Sequence, residues 1–172
     1  QEFISEHDLD MPVLLGHSMG GKTVMTHSQL FPEIAKAYII ADIAPRAYPP
    51  LHDDVLAALR QTDLAVLSTR KDVDAALRKR LSQEGVIQFL LKNPYWTEDE
   101  KLAWRFNLPA ILQHLAEVSA GIELVAPVIR PALFMRGENS DYVQPTDEPM
   151  IISFFPRTSI ETVAAAGHWV HA

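Results

Sequence analysis

Val13-Leu14-Leu15-Gly16-His17-Ser18-Met19-Gly20-Gly21-Lys22-Thr23 joins a short apolar run to a helical pattern through a serine set among glycines. Residues 11–15, stopped by Gly16, have the length and continuity of a strand buried on both faces of a parallel sheet. Residues 20–30 then follow a helical period, with Gly21, Val24, Met25 and Ser28 on one side, small enough for the helix to sit close to that strand. The step is strand, tight turn, helix. Within it, Gly16-His17-Ser18-Met19-Gly20 satisfies G-x-S-x-G, in which a serine rides a strained strand-to-helix turn. A side chain at either 16 or 20 is expected to collide across so sharp a turn. Ser18 then projects above the carboxyl edge of the sheet, and the Met19 amide at the helix start points at any oxyanion forming there.

The same segment, read two residues further, is Gly16-x-x-x-x-Gly21-Lys22-Thr23, a match to the phosphate-binding P-loop, and Ile39-Ile40-Ala41-Asp42 has the form of a magnesium-holding Walker B strand. Three considerations favour the serine turn. A histidine, His168, follows both the serine and the acid candidates and lies just after a strand signal. His17 and Met19 are bulky for a phosphate cradle. The helical part of the chain has no dense arginine cluster to close over phosphates. The P-loop nucleotide-binding protein therefore stands as the alternative, and a non-catalytic binding module as a second one.

Working outward, Ala37-Tyr38-Ile39-Ile40-Ala41 is a second buried-strand run, after which Pro45, Pro49 and Pro50 forbid regular structure. From residue 51 to 122 the periods are helical: Val55/Leu56/Leu59, Val73/Leu77/Leu81, Val86/Phe89/Leu90, and a helix capped by Asn107 with Pro109 in its first turn and Leu112, Leu115 and Val118 as its stripe. Pro131-Ala132-Leu133-Phe134-Met135 returns to strand character, a helix follows near 146–154, and Ile160–Ala164 reads as a last strand. Strand and helix alternating around a parallel sheet, interrupted by a helical excursion, give the class α/β.

At 172 residues, 48% hydrophobic and 22% charged, the chain is one domain's worth of core-forming polypeptide. No apolar stretch approaches the length of a membrane span. A net charge of −7 with thinly spread basic residues argues against nucleic acid as a partner. The absence of cysteine removes disulfides and thiolate metal sites. His168-x-x-His171 has helical ligand spacing with no carboxylate nearby in sequence, so no metal is expected. His7, His27, His52, His114 and His171 read as surface or cap residues.

Leu15–Lys22, Asp42-Ile43-Ala44-Pro45, Trp104–Leu108, Arg136-Gly137-Glu138-Asn139-Ser140 and Ala166–Ala172 together resemble the YbfF-like small carboxylesterases of the α/β-hydrolase superfamily, in the same order and over the whole length. The resemblance implies an eight-stranded sheet, a helical cap between strands 6 and 7, a Ser-His-Asp triad, and cofactor-free hydrolysis of esters or acyl thioesters of small to medium acyl groups. Residues 12–16, 37–42, 131–136 and 159–165 correspond to strands 5 to 8, so 1–50 and 123–172 form the hydrolase core and 51–122 the cap. Strands 1 to 4 and the last helix have no counterpart, which implies a piece incomplete at both ends. It also implies the loss of a second oxyanion donor, weak activity of the piece alone, and an exposed apolar strand 5 edge that invites self-association. A cytoplasmic location is the accompanying expectation.

In these terms Ser18 is the nucleophile, His168 the general base and then acid, and the Met19 amide the oxyanion donor. For the acid, Asp42 at the end of the second strand stands ahead of Asp141, because the usual Gly-x-x-Asp spacing after the third strand lands on Ser140. His17, Trp104, Phe106 and Leu112 are the candidate substrate-binding residues; Leu115 joins them as a further wall for an acyl chain.

Overall fold

The computed structural model describes residues 1–49 and 53–171; the readings attached to Pro50, Leu51, His52 and Ala172 lie outside the described residues. In chain order the elements are α1 (Glu2–Glu6), β1 (Val13–His17), α2 (Met19–Leu30), β2 (Ala37–Ala41), α3 (Asp53–Gln61), α4 (Arg70–Leu77), α5 (Glu84–Leu91), β3 (Pro94–Trp96), β4 (Leu102–Trp104), α6 (Leu108–Gln113), α7 (Leu115–Ser119), β5 (Ala132–Gly137), α8 (Glu148–Phe154) and β6 (Thr158–Val163). They fall into two compact units, residues Gln1–Ala47 with Ala120–Ala172, and residues Tyr48–Ser119.

The first unit is a parallel sheet in the order β1-β2-β5-β6, flanked by helices. Val13 stands opposite Ala37, Tyr38 opposite Ala132, and Ala132 opposite Thr158. The apolar centre strands β2 and β5 bury Tyr38, Ile40 and Phe134 completely, and the Phe155 ring meets Tyr38 and Phe134 in edge contacts at 5.8 and 5.5 Å. Such near-continuous apolar strands are what a sheet covered on both faces requires. The outermost strand β1 departs from that expectation: Leu15 is 64% exposed, because β1 is the edge of the sheet among the described residues.

The parallel ladder runs one residue past β1 and β2. The Ser18 amide donates to the Ala41 carbonyl at 2.9 Å, and the Asp42 amide to the Met135 carbonyl at 2.7 Å. Ser18 and Asp42 therefore sit side by side at the carboxyl edge, where functional groups of α/β sheets gather. Both leave the ladder with positive φ, 53° and 50°.

Close packing of α2 on the sheet depends on particular glycines, and they are not the pair expected. A Cβ at Gly16 would lie 2.2 Å from the Gly20 carbonyl oxygen, and one at Gly21 would lie 2.4 Å from a methyl of buried Ile43 and 3.1 Å from the Gly16 carbonyl oxygen. At Gly20 there is open space. The collision expected at 20 thus occurs at 21, because Gly20 already lies on the outward side of α2 while Gly21 faces the sheet.

The second unit has its own core of Val73, Leu77, Leu81, Ile87, Leu90 and Leu102. Its helices begin where capping chemistry allows. Thr69 and Asp72 form a capping box on α4, and the Asn107 side chain accepts from the Ala110 amide at 3.1 Å on α6. Three details differ from the helical expectation. β3 and β4 form a short antiparallel hairpin, its Trp104 end included, because three-residue strands carry too few alternations to register as a pattern. Phe89 is exposed while Ile87 and Leu90 face inward, and the stripe from Leu112 to Val118 is broken at His114 between α6 and α7. Among the described residues no helix is long and apolar enough to cross a membrane.

Replacing Gly21 by Ala overpacks the α2–sheet contact and is expected to lower stability by about 1–3 kcal/mol. Gly20→Ala is expected to be neutral or to stabilise by up to about 1 kcal/mol, because it swaps the poorer helix former into open space. Urea unfolding of the two variants beside the parent reads the difference; equal midpoints for the two would contradict it.

Candidate active site

Ser18, Asp42 and His168 all lie within the first unit. Ser18 occupies the single residue between β1 and α2, with φ 53° and ψ −121°, a conformation in which a non-glycine residue is strained and persists only where its surroundings hold it. The Gly21 and Lys22 amides bond back to the Ser18 carbonyl at 2.8 and 3.2 Å, closing the first turn of the helix. Met19 is the first residue of that helix, whose opening amides have no acceptor within the helix and carry its positive dipole end.

His168 lies after β6, 150 residues from Ser18, and its Nε2 stands 2.9 Å from the Ser18 Oγ. Its Nδ1 donates to Oδ2 of Asp42 at 2.8 Å. That bond fixes the tautomer: with the proton on Nδ1, the Nε2 lone pair is free to accept the serine hydroxyl. Asp42 has no exposed surface. A buried carboxylate is tolerable only when its oxygens are satisfied, and three donors do this: His168 Nδ1, the Gly137 amide at 3.0 Å on Oδ1, and the Ser140 hydroxyl on Oδ2. Burial pushes the Asp42 carboxyl up, but the bonds from His168, Ser140 and Gly137 outweigh it and hold the group below the ordinary carboxylate value.

Asp141, the alternative acid, is not at the imidazole. It is exposed, its side chain takes a bond from Gln144 Nε2 at 3.3 Å and its carbonyl one from Arg46. The strand-end position keeps Asp42 rigid, whereas Asp141 lies one residue beyond the point where the loop after β5 faces the sheet. That point is Ser140, whose hydroxyl reaches the acid from the place where an acid was sought.

His17, read as a substrate contact, is occupied otherwise. Its Nε2 donates to the His168 carbonyl at 2.7 Å, and its ring lies 4.7 Å from the His168 ring and 5.2 Å from that of His171. Burial lowers the His17 pKa, overcoming the bond to the His168 carbonyl that favours the charged form. Two contacts escaped the sequence: the Ser140 bond, hinted at only by its spacing from Gly137, and Tyr142, whose ring stacks on the His168 ring at 3.9 Å with 23° between planes. No sequence pattern signals the second.

The P-loop reading does not survive the geometry. Helix α2 begins at Met19, so Gly20 to Thr23 are helical; the Thr23 hydroxyl donates to the Met19 carbonyl at 3.1 Å, and Lys22 Nζ to the Ala120 carbonyl. A phosphate cradle needs a loop of free amides between strand and helix, and one residue cannot form it. The Walker B reading fails with it, since Asp42 is surrounded by protein donors. Among the described residues no group of three or more His, Asp or Glu could hold a metal ion. Trp104, Phe106 and Leu112 belong to the second unit. There Trp104 and Phe106 stack with ring centroids 5.3 Å apart, both packed against the core, and Trp104 and Leu112 line an open cavity of about 570 Å³ with Leu59, Leu64 and Leu108.

The site thus lines up a serine on a strained strand–helix turn, an imidazole and a buried carboxylate on one hydrogen-bonded path. The chain belongs to the alpha/beta hydrolase family, whose pattern it matches over residues 2–172. It is similar to esterase YbfF of Escherichia coli, 36% identical over 170 residues, covering 98% of this chain and 65% of that protein. It is also similar to the sn-1-specific diacylglycerol lipase ABHD11 of Mus musculus, 36% identical over 166 residues, covering 93% and 54%. The solved structure of a marine microorganism esterase superposes with a TM-score of 0.94 at 37% identity, covering 99% of this chain and 68% of that one. The chain spans between about half and two thirds of the length of the curated relatives it matches.

Because its carboxyl lies below the ordinary value in the folded chain, Asp42 contributes stability above the ordinary carboxylate pKa, near 4, and loses it as pH falls through the lowered folded value. Asp42→Asn is therefore expected to be less stable than the parent at pH 7 by about 1–3 kcal/mol, with the gap closing in acid. Asp141→Asn should follow the parent throughout. Urea midpoints across pH 3–7 measure both, and a pH-independent gap for Asp42→Asn would contradict the assignment.

Proposed function

We propose that this chain carries the reacting groups of a serine hydrolase that cleaves carboxylic esters or acyl thioesters through an acyl-enzyme. The observation that carries the reading is the continuous bonded line Ser18 Oγ, His168 Nε2, His168 Nδ1, Asp42 Oδ2, at 2.9 and 2.8 Å. Ser18 Oγ attacks the acyl carbon while its proton passes to His168 Nε2, and the resulting imidazolium is matched by the Asp42 carboxylate. The Met19 amide supplies a donor for the oxyanion. His168 returns its proton to the leaving alcohol or thiol as the tetrahedral species collapses to the acyl-serine. Water then attacks the acyl carbon as its proton passes to the same imidazole, the bond from that carbon to Ser18 Oγ breaks to release the acid, and His168 returns the proton to Ser18 Oγ.

These steps use only the side chains named, one backbone amide and water. Support for esters as the substrate class comes from the relatives, which carry the names esterase and diacylglycerol lipase. The proposed acyl group is small to medium, as the resemblance to the YbfF-like small carboxylesterases implies.

Exposure to a fluorophosphonate, followed by peptide mass analysis, should place one adduct on Ser18, lost in Ser18→Ala and in His168→Gln. With a p-nitrophenyl ester, Asp42→Asn should lower kcat on the order of a thousandfold or more, while Asp141→Asn changes it little. A folded chain that takes no label at Ser18 would reject the reading in favour of a non-catalytic binding module.

A further inference from the structure

We propose that Tyr142 is a positioning residue that holds the His168 imidazole by its face and favours the charged form that arises as Ser18 gives up its proton. The inference rests on the hydrolase reading of the site.

The geometry has three parts. His168 is held in its own plane at both nitrogens, by Asp42 at 2.8 Å and by Ser18 at 2.9 Å. Two bonds at opposite ends of a ring define a line, and the ring can still rock about that line. A flat group against its face stops the rocking, and the Tyr142 ring is that group, at 3.9 Å and 23°. The same short segment reaches the acid: Tyr142's amide donates to the Ser140 Oγ at 3.3 Å, and that hydroxyl donates to Asp42. One loop after β5 thus carries a contact to each of the two groups that move or balance the proton.

The electronic part follows from the stacking. An aromatic face is negative and attracts a cation lying over it. The proton transfer breaks the Ser18 O–H bond and forms an N–H bond at His168 Nε2, leaving a full positive charge in a ring stacked on Tyr142. The contact is therefore stronger after the transfer than before it, which is the condition for speeding the step rather than tightening ground-state binding. Among the described residues, the other groups that face this imidazole are the Asp42 carboxylate just after β2, the Ser18 hydroxyl, the His17 ring from β1 at 4.7 Å, and Trp169 of its own segment at 5.8 Å; His171 acts at one remove, through His17. Asp42 and Tyr142 favour the charged imidazole, and a charged His17 or His171 would oppose it.

Removing the ring outright would admit water and confuse the reading, so the test keeps its shape. Tyr142→Phe serves as reference, and phenylalanines carrying one to four ring fluorines are placed at position 142 of the full chain, which weakens the negative face at nearly constant volume. With p-nitrophenyl butyrate, kcat should fall stepwise along the series, by about three- to tenfold in all, with KM within about twofold. A flat series, or a rise in KM at constant kcat, would overturn the proposal. Should the parent show neither turnover nor a fluorophosphonate adduct, the hydrolase reading fails by itself, and the His168 ring is then titrated by NMR. Its midpoint should move to lower pH with each added fluorine; a constant midpoint would overturn the role assigned to Tyr142.

Discussion

A carboxylate with no exposed surface organises this molecule. Asp42 directly follows β2 in the middle of the sheet, and charge in that position demands partners before the fold can close over it. The partners come from three places: the last residue of β5, the loop behind it, and the segment after β6. Satisfying one buried group therefore fixes the relative places of three parts of the chain that are 95 to 126 residues from it in sequence. His168 is drawn to the sheet edge by that requirement, and its other nitrogen arrives at Ser18 as a result.

The serine meets it there because of how a parallel sheet is built. β1 and β2 are in register to their ends, each continues its ladder by one amide, and each then turns sharply with positive φ. Strand pairing alone places residues 18 and 42 next to each other. The turn at 18 is sustained by the absence of side chains at 16 and 21, which lets α2 lie against the strand and bring its positive end to the edge where Ser18 and Asp42 sit. Stored backbone strain, helix dipole and buried charge all act on one small volume.

Much of this was legible along the chain, for physical reasons. Three strands of the sheet, β1, β2 and β5, contain apolar runs long enough to stand out, the turn motif is local, and caps such as Asn107 act over three residues. What was not legible depends on neighbours distant in sequence. Whether position 20 or 21 is the crowded one is set by which side of α2 faces Ile43. Leu15 reads as buried from its own run of residues, and its exposure follows from β1 lying at the sheet edge. The β3–β4 hairpin, with three residues a strand, is stabilised by pairing rather than by pattern. Tyr142 carries no motif at all; its place against the imidazole is a property of the loop's path.

The division is one of range. Sequence by itself determined the α/β class and the serine turn, because those are consequences of steric and chemical properties of residues close together in the chain. Only the tertiary structure decided which carboxylate faces the imidazole, that Ser140 supports the acid and that His17 binds the His168 carbonyl. Those outcomes turn on distances of about 3 Å between groups separated by scores of residues, and only the folded backbone sets such distances.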